Sequence, residues 1–280
     1  MELFAKKSLG QHFLASPAAL RQIIEAAQLS PGEKVLEIGP GTGILTAAIL
    51  ATGAHIVAVD KDARTTDVLA QKFSAEIAAG KAVFIEGDIL DPKMLESVAE
   101  KGITDGSFSL VANIPYYITG AIMEQFLEHG PRPNKMVLLV QKEVAERIVA
   151  RDAKESILSV SIKAFGVPRI VATVPRGAFV PPPNVDSAII SIEQIAEKSK
   201  VTRQKNLDIE RFFKIVRAGF AHKRKFAIRN LEILAPDILT KESIAAAWST
   251  LKLDTKIRPE EMPTETWIEI ADLTANYPQK

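Results

Sequence analysis

An apolar run meets a glycine-rich turn at Val35-Leu36-Glu37-Ile38-Gly39-Pro40-Gly41-Thr42-Gly43. The run has the length of a buried strand, and the stretch behind the turn, Ile44–Ala51, has the composition of a helix. Glycine lets the backbone turn sharply at this point and approach a ligand closely. Because ligands of open α/β sheets bind beyond the carboxyl ends of the strands, the stretch predicts a strand, a ligand-binding turn and a helix.

Short apolar runs and helical stretches alternate through the first part of the chain. Strands are predicted at residues 34–38, 55–59, 82–85, 108–112 and 136–140. Helices are predicted between and after them, at residues 44–51, 63–79, 93–101, 118–128 and 142–150. Apolar strands separated by helices indicate a parallel sheet covered on both faces. The predicted fold class is α/β, with a Rossmann-like sheet, helices on both faces, and an antiparallel edge formed by residues 170–174 and 188–192.

The composition changes after residue 195. Residues 196–204 are polar and rich in Lys, which predicts a linker. Beyond it Phe212, Phe213 and Phe220 lie at helical spacing, and two more apolar helices are expected near residues 244–251 and 265–275. We therefore expect residues 1–196 to form the sheet-containing domain and residues 197–280 to form a small all-α domain.

The total charge conceals a basic segment. The 280 residues include 35 Lys and Arg against 34 Asp and Glu, so the formal net charge is +1. Between Lys200 and Arg229, ten Lys and Arg stand against two Asp and Glu, which leaves +8 on this segment and −7 on the remainder. The totals exclude a nucleic-acid binder that is cationic over its whole surface, but not one with a local basic patch.

Several classes of site and location are excluded or disfavoured by composition. The chain has no cysteine, which excludes disulfides, thiolate zinc sites, iron–sulfur clusters and a cysteine nucleophile. The four histidines are dispersed without metal-ligand spacing, so no metal is expected. No apolar stretch of a secretory signal follows Lys6 and Lys7, and the longest uncharged stretch is broken by Pro40 and glycines. We expect a cytoplasmic protein without a membrane span.

The glycine spacing distinguishes between nucleotide-binding turns. A dinucleotide fingerprint needs Gly where the chain has Ile44, and a P-loop needs a Gly-Lys-Ser/Thr that does not follow. The observed pattern is Gly39, Gly41 and Gly43, with Glu37 two residues before the first glycine, as in S-adenosylmethionine (SAM) methyltransferases. Gly39 and Gly41 are therefore candidate residues for binding SAM. A tight turn without a ligand is the alternative.

Two acidic residues follow the next two strands. Asp60 closes the second strand, where a carboxylate can accept both hydroxyls of a ribose. Asp88 follows the third strand and can accept a hydrogen bond from an adenine amino group. Either residue alone is typical of a solvated acid at a strand end. Three successive strand ends that fit one nucleoside favour the cofactor site.

The fourth strand ends in Asn113-Ile114-Pro115-Tyr116. An adenine amino group is a poor nucleophile because its lone pair is delocalised into the ring. The Asn113 side-chain oxygen and a carbonyl at or before Pro115 can accept both of its N–H groups and aim the lone pair at an electrophile. Tyr116 offers a flat face for stacking a base that is flipped out or single-stranded. The alternative is an Asn-Pro turn with a packing Tyr.

With these motifs the chain resembles the ribosomal RNA adenine N6,N6-dimethyltransferases. The resemblance runs nearly end to end, and several motifs in one order are more specific than any one of them. Besides the glycine turn and Asn-Ile-Pro-Tyr, the matching segments are residues 7–14 (Lys-Ser-Leu-Gly-Gln-His-Phe-Leu), 141–144 (Gln-Lys-Glu-Val), 179–188 (Phe-Val-Pro-Pro-Pro-Asn-Val-Asp-Ser-Ala), 220–225 (Phe-Ala-His-Lys-Arg-Lys) and 228–231 (Ile-Arg-Asn-Leu).

The resemblance implies how SAM is held in the first domain, residues 1–196. His12 and Leu14 help to close over SAM, and Gly39 contacts its amino-acid part. The ribose is assigned to Asp60, and the adenine to Asp88 with Ile89. The family usually has Glu at the ribose position, so Asp60 is shorter by one methylene.

The resemblance also implies the reaction. Asn113 faces both SAM and the target base, with Pro115 beside it, and Tyr116 and Phe179 sandwich the target adenine from opposite faces. The implied product is two adjacent dimethyladenosines near the 3′ end of 16S rRNA in the small ribosomal subunit. Methyl transfer is direct and in line, without a metal or a covalent intermediate, and catalysis rests on positioning and electrostatics. No obligate protein partner is implied, and a monomer is expected.

The basic segment is predicted to contact RNA. Arg211, Lys214 and Arg217 recur every three residues opposite an aromatic face. Phosphate contacts of this kind give salt-dependent affinity without sequence preference. The usual alternative for a run of charges is a solvated helix face. The candidate RNA-binding residues, in the domain of residues 197–280, are Arg217, Lys223, Arg224, Lys225 and Arg229.

Two departures from the family pattern and two other functions bear on this interpretation. Glu155-Ser156-Ile157 replaces an aromatic-Gly pair before Leu158-Ser159, in a loop expected near the substrate, and one extra residue follows the basic motif at Phe226-Ala227. A 23S rRNA adenine methyltransferase of the macrolide-resistance type shares the glycine turn and the Asn-Ile-Pro-Tyr type of motif, whereas the Pro-rich segment 181–188 favours the small-subunit enzyme. A ribosome-assembly factor whose methyl transfer is secondary is the second alternative.

Overall fold

The structure is a computed structural model that describes residues 11–195 and 208–275. Its strands are β1 Phe13–Leu14, β2 Lys34–Ile38, β3 His55–Asp60, β4 Ala82–Glu86, β5 Phe108–Asn113, β6 Lys135–Gln141, β7 Val167–Val174, β8 Phe179–Val180 and β9 Ser187–Glu193. Its helices are α1 Pro17–Ala27, α2 Ile44–Ala51, α3 Ala63–Lys72, α4 Ser74–Ala78, α5 Pro92–Glu100, α6 Thr119–Glu124, α7 Lys142–Val149, α8 Ile157–Phe165, α9 Ile209–Phe220, α10 Ala227–Leu234, α11 Lys241–Thr250 and α12 Thr264–Ala275. The predicted linker at residues 196–204 and the first residues of the 7–14 motif lie outside the described residues.

A seven-stranded sheet organises the first part of the chain, in the order β4-β3-β2-β5-β6-β9-β7. The five strands from β4 to β6 are parallel, and β9 is antiparallel to both β6 and β7. Central residues such as Leu36, Leu110 and Leu138 are fully buried, as expected for a sheet covered on both faces. The predicted α/β class and the antiparallel edge are confirmed.

The helices differ from the sequence prediction at four places, one of which is α10, where no helix was predicted. The helix predicted at residues 63–79 is divided into α3 and α4 at Phe73, whose buried ring stacks on Phe84 with 5.9 Å between ring centroids. The helix predicted at residues 118–128 is a 3₁₀ turn at Tyr116–Ile118, then α6, then a π-helical turn at Gln125–His129. Helix α8 was not predicted at all.

A small two-stranded sheet, also not predicted, joins distant parts of the chain. Strand β1 pairs antiparallel with β8, so that Phe13 lies opposite Val180 and Leu14 lies opposite Phe179. Strands of two residues carry little hydrophobic periodicity, which explains why the pattern did not indicate them. The pairing fixes the segment before α1 to the segment before β9.

The chain forms two compact units. One comprises Met1–Ala145 and Val167–Ala196, and the other comprises Glu146–Gly166 and Glu197–Lys280. In this division the segment Glu146–Gly166 belongs to the same unit as residues 197–280. Two contacts hold it there: the Phe165 ring stacks on Phe213 with 5.8 Å between centroids, and the Glu155 N–H donates to the Glu260 carbonyl at 2.8 Å.

Within residues 11–195 and 208–275, no helix is both long enough and apolar enough to cross a membrane.

Candidate active site

A cavity opens at the carboxyl ends of β2, β3 and β5, where the sequence predicted a ligand site. Its empty volume is about 870 Å³, a figure that includes space open to solvent. The predicted site residues that line it are His12, Gly39, Gly41, Asp60, Asp88, Ile89, Asn113, Pro115 and Tyr116. Residues that were far apart in sequence, and that were predicted from separate motifs, therefore share one cavity.

The glycine turn forms one wall of the cavity because its backbone has left-handed conformations. Gly39 and Gly41 have φ values of +68° and +54°, which side-chain-bearing residues rarely adopt. A Cβ added to Gly41 would lie 2.9 Å from the Phe13 ring, so β1 packs directly on the turn. A Cβ added to Gly39 would have no neighbour closer than the Asn113 carbonyl oxygen at 3.9 Å. The backbone at Gly39 is therefore open to a ligand.

Two acidic side chains are buried behind the turn. Glu37 is 1% exposed, and its Oε2 accepts a hydrogen bond from Thr46 Oγ1 at 2.6 Å. Burial raises the pKa of Glu37 to about 8. Asp60 is 7% exposed and its Oδ1 accepts from the Asp62 N–H at 2.9 Å; burial also raises the pKa of Asp60. Sequence analysis used Glu37 only as part of a pattern and did not predict its burial.

Asp88 reaches the cavity with both carboxylate oxygens engaged. Its Oδ2 lies 2.7 Å from Lys61 Nζ, and its Oδ1 accepts from the Leu90 N–H at 3.1 Å. Partial burial raises the pKa of Asp88, but the hydrogen bonds from Lys61 and from the Leu90 N–H, together with the charge of Lys61, outweigh burial, and the pKa is lowered. Lys61 also lines the cavity, and the sequence analysis did not identify it.

The Asn113 amide is held by the segment that precedes α1. Its Nδ2 donates to the His12 carbonyl oxygen at 3.0 Å. The His12 ring is also held, because its Nδ1 donates a hydrogen bond to the Pro181 carbonyl oxygen at 2.8 Å. With Nδ2 engaged in this way, the Asn113 Oδ1 is the end of the amide available as an acceptor.

The Tyr116 ring is fixed at both its edge and its face. Its hydroxyl lies 2.6 Å from the Oγ of Ser187, a fully buried residue that sequence analysis did not single out. The His12 ring lies near its face, with 6.0 Å between centroids and 22° between planes. Burial raises the pKa of the Tyr116 phenol. The ring is thus half-buried and oriented from two sides.

Leu14 and Phe179 are not brought to the cavity. Leu14 is 6% exposed and Phe179 is 2% exposed, because their pairing between β1 and β8 turns both into the hydrophobic core. In this structure the two-sided aromatic slot expected from Tyr116 and Phe179 is absent among the residues described, and the ring that lies over Tyr116 is His12. Burial through a two-residue strand was not predictable from periodicity.

The family model for ribosomal RNA adenine dimethylase matches residues 3–276. The chain belongs to that family. A curated relative from Dehalococcoides mccartyi, named ribosomal RNA small subunit methyltransferase A, is 40% identical over 268 residues, covering 95% of this chain and 87% of the relative. The protein is therefore a methyltransferase of the rRNA adenine dimethylase family.

Solved structures have the same fold along nearly the whole chain. A dimethyladenosine transferase from Plasmodium falciparum superposes with a TM-score of 0.76 at 25% identity, covering 92% of this chain and 96% of that one. The 23S rRNA methyltransferase ErmE superposes with a TM-score of 0.69 at 24% identity, covering 93% and 98%. The second likeness shows the fold alone and does not favour the large-subunit alternative.

The predicted RNA-binding residues of this dimethylase-family chain lie in the second unit. Lys223, Arg224 and Lys225 are exposed in the turn between α9 and α10. The Arg217 guanidinium lies over the Phe213 ring, 5.5 Å from its centroid, and Arg229 Nη1 pairs with Glu232 at 2.7 Å. The turn therefore presents three cations, while Arg217 and Arg229 already have intramolecular contacts.

The two departures from the family pattern have structural roles. Ser156 caps α8 in a reciprocal pair with Ser159: the Ser159 N–H donates to Ser156 Oγ at 3.1 Å, and the Ser156 N–H donates to Ser159 Oγ at 2.7 Å. Glu155 pairs with Lys163 at 2.6 Å. At the second departure, Ala227 is fully buried and begins α10. The unusual tripeptide and the extra residue thus help to build the second unit.

One acidic cluster lies outside the cavity. Glu124, Glu128 and His129 place possible ligand atoms within 4.8 Å of one another. None of the three lines the cavity described above.

Proposed function

We propose that this protein transfers methyl groups from SAM to N6 of two adjacent adenosines near the 3′ end of small-subunit (16S) rRNA. One observation carries the proposal: the hydrogen bond from Asn113 Nδ2 to the His12 carbonyl, which leaves the Oδ1 of Asn113 as an acceptor in the cavity beside Pro115 and Tyr116. Membership of the rRNA adenine dimethylase family and the name of the curated small-subunit relative support the class of substrate.

The cavity fits SAM. The space next to the Gly39 backbone accommodates the amino-acid part of SAM, and Gly41 belongs to the same wall. The carboxylate of Asp60 supplies two acceptor oxygens for the ribose hydroxyls, at the end of β3. When bound, SAM supplies an electrophilic methyl group on a positively charged sulfur.

The adenine end of SAM is assigned to the edge formed by Asp88 and Ile89. The Asp88 carboxylate is an acceptor for an amino group, and its hydrogen bonds with Lys61 and the Leu90 N–H keep it in the charged form. Ile89 is 3% exposed and contributes an apolar surface. His12 covers the cavity from the opposite side, held by Pro181 and Asn113. Leu14 packs beneath this segment in the core.

The target adenine is held by acceptors at the end of β5. The Asn113 Oδ1 accepts one N6–H bond, and a carbonyl at or before Pro115 accepts the other, so that the N6 lone pair points at the methyl group. The Tyr116 face stacks the base where the His12 ring lies now. Phe179 supports β1 from the core rather than touching the base.

The proposed reaction needs positioning rather than an activated side chain. The bond between sulfur and the methyl carbon breaks as the bond between N6 and that carbon forms, and N6 then loses one proton to solvent. Two such transfers give each dimethyladenosine. Alignment of the reactants and hydrogen bonds that strengthen as charge shifts lower the barrier, and the proposed path has no step for a metal.

The basic turn between α9 and α10 is proposed to bind rRNA phosphates. Lys223, Arg224 and Lys225 are exposed, with Arg217 and Arg229 flanking them on the adjoining helices. The partner is then the small ribosomal subunit in the cytoplasm, and a monomer suffices because one chain carries both the cavity and the basic turn.

Methyl incorporation tests the proposal directly. Purified protein is mixed with labelled SAM and with small subunits from a strain that lacks the modification, and the rRNA adenines are mapped by mass spectrometry. We expect two adjacent dimethyladenosines near the 3′ end of 16S rRNA. Methylation of 23S rRNA instead, or no incorporation, contradicts it.

An additional assembly role is tested in cells. Growth and subunit maturation are compared between a deletion strain and one that expresses Asn113→Ala. If the two strains have equal defects, the defect of the deletion strain is due to loss of methyl transfer. If the Asn113→Ala strain matures its subunits normally, that defect is due to loss of binding of the protein to the subunit.

A further inference from the structure

Tyr117 is the most exposed large hydrophobic or aromatic side chain in the part of the chain that the structure describes, at 65%. It follows Tyr116 on the same 3₁₀ turn, Tyr116–Ile118, and both residues line the same cavity. The Tyr116 ring is half-buried and bonded to Ser187, whereas the Tyr117 ring stands at the mouth. An exposed aromatic ring at the entrance of a binding cavity is not explained by packing.

The surroundings of Tyr117 are suited to a nucleotide. Lys61 lines the same cavity with a side chain that is 58% exposed, and its Nζ pairs with Asp88 Oδ2 at 2.7 Å. A flat ring and a partly exposed lysine therefore line the same cavity.

We propose that Tyr117 stacks the base of the nucleotide adjacent to the target adenosine. The inference rests on the proposed function. When one base of a single strand occupies the cavity beside Tyr116, the neighbouring nucleotide lies at the mouth. The Tyr117 ring, one residue further along the chain, is the aromatic surface available there.

The proposed substrate gives this subsite a specific occupant. Because the two target adenosines are adjacent, one of the two neighbours of each is itself an adenine, and aromatic rings stack bases of single strands in general. Tyr117 holds the second adenine while the first is methylated. The subsite therefore favours a purine next to the target.

A two-by-two comparison of protein and RNA tests the stacking contact. Small subunits are assembled with 16S rRNA whose 3′ segment is ligated from a synthetic strand, with either the natural neighbour or an abasic site on each side of the target in turn. Single-turnover methylation is measured for the unchanged protein and for Tyr117→Ala. Stacking contributes about 5- to 150-fold per base, so we expect Tyr117→Ala and removal of the stacked base each to slow transfer by such a factor.

The methylation rate of Tyr117→Ala on the abasic RNA distinguishes the possible results. If Tyr117 stacks one neighbour, Tyr117→Ala loses nothing further on the RNA that is abasic at that position, and Tyr117→Phe retains the activity of the unchanged protein. If the rate loss caused by Tyr117→Ala multiplies with the rate loss caused by the abasic site, whichever neighbour is abasic, Tyr117 touches neither base and the inference is overturned. A Tyr117→Ala loss independent of RNA then indicates a ribosomal-protein contact.

Two controls separate this inference from the function it rests on. Ile233→Ala removes another exposed apolar side chain, 54% exposed in the second unit, and should leave the methylation rate unchanged. Unchanged protein acting on natural subunits must produce dimethyladenosine. Failure there overturns the proposed function, whereas normal activity with an inert Tyr117→Ala change overturns only the stacking subsite.

Discussion

The hydroxyl of Tyr116 and the hydroxyl of Ser187 lie 2.6 Å apart although 71 residues separate them in the chain. Ser187 is the first residue of β9, where it pairs with Gln141 of β6 and Val174 of β7. It is fully buried between those strands. The ring proposed to stack the target base is therefore anchored to the antiparallel part of the sheet, not only to its own turn.

Removal of this anchor should weaken base binding without affecting the cofactor. We expect Ser187→Ala to raise KM for the small subunit about 5-fold, the effect of one hydrogen bond of roughly 1 kcal/mol. The Kd for SAM, measured by calorimetry, should stay the same. Tyr116→Phe removes the same bond from the other side, so the double variant should resemble either single one. A further loss in the double variant, or failure of Ser187→Thr to restore KM, argues against the positioning role.

Substitutions of Asn113 and Gly39 should impair different steps, methyl transfer and SAM binding respectively. Asn113→Ala removes the acceptor for the adenine amino group, so we expect methyl transfer to fall by about 100-fold or more. Gly39→Ala forces a side-chain-bearing residue to a φ of +68° and should weaken SAM binding first. Calorimetry with SAM, alongside single-turnover methylation, distinguishes the two. Equal loss of SAM affinity in both variants contradicts the assigned roles.

The buried Glu37 should make stability depend on pH. Its pKa is about 8 in the folded chain and near 4.5 when unfolded, so the folded state binds its proton more tightly and stability is lost as the pH rises from about 4.5 towards 8. Glu37→Gln keeps an acceptor for Thr46 and carries no charge. Between pH 5 and pH 8, urea unfolding should show the unchanged protein losing roughly 3 kcal/mol relative to Glu37→Gln. A difference between the two proteins that stays constant with pH contradicts this prediction.

The basic turn should control the salt dependence of RNA binding. Neutralising Lys223, Arg224 and Lys225 to Gln should lower the slope of log affinity against log salt by about 0.7–0.9 for each phosphate that the turn no longer neutralises. SAM affinity should not change. Lys256→Gln, an exposed cation elsewhere in the second unit, is the matched control and should leave the slope unaltered. An unchanged slope in the triple variant assigns RNA binding to other residues.

The strand-end residues were predictable because local pattern specifies them. Asp60, Asp88 and Asn113 each follow an apolar run, and parallel strands bring their carboxyl ends to one edge. Lys61 and Ser187 were not predictable in the same way. Each acts through a partner on another element, Asp88 and Tyr116 respectively, and such pairings depend on sheet order rather than on spacing along the chain.

The burial of Phe179 was not predictable from the motif. Motif resemblance placed its ring against the target base, whereas the pairing of β1 with β8 places it opposite Leu14 and in the core. Helix α8 was missed for a related reason. Its start depends on the reciprocal cap between Ser156 and Ser159, and its buried face is matched to Phe213 in the second unit.

The segment Gln11–Leu14 links the glycine turn to Asn113. Phe13 packs on the Gly41 backbone, and the His12 carbonyl holds the Asn113 amide. One short stretch of chain therefore contacts both the glycine turn proposed to bind the cofactor and the Asn113 amide proposed to accept the target base. If a substitution weakens the contacts of this stretch, we expect a protein with an intact sheet and an intact Asn113 to bind cofactor and RNA separately. The methyl group and the target base are then no longer aligned with each other.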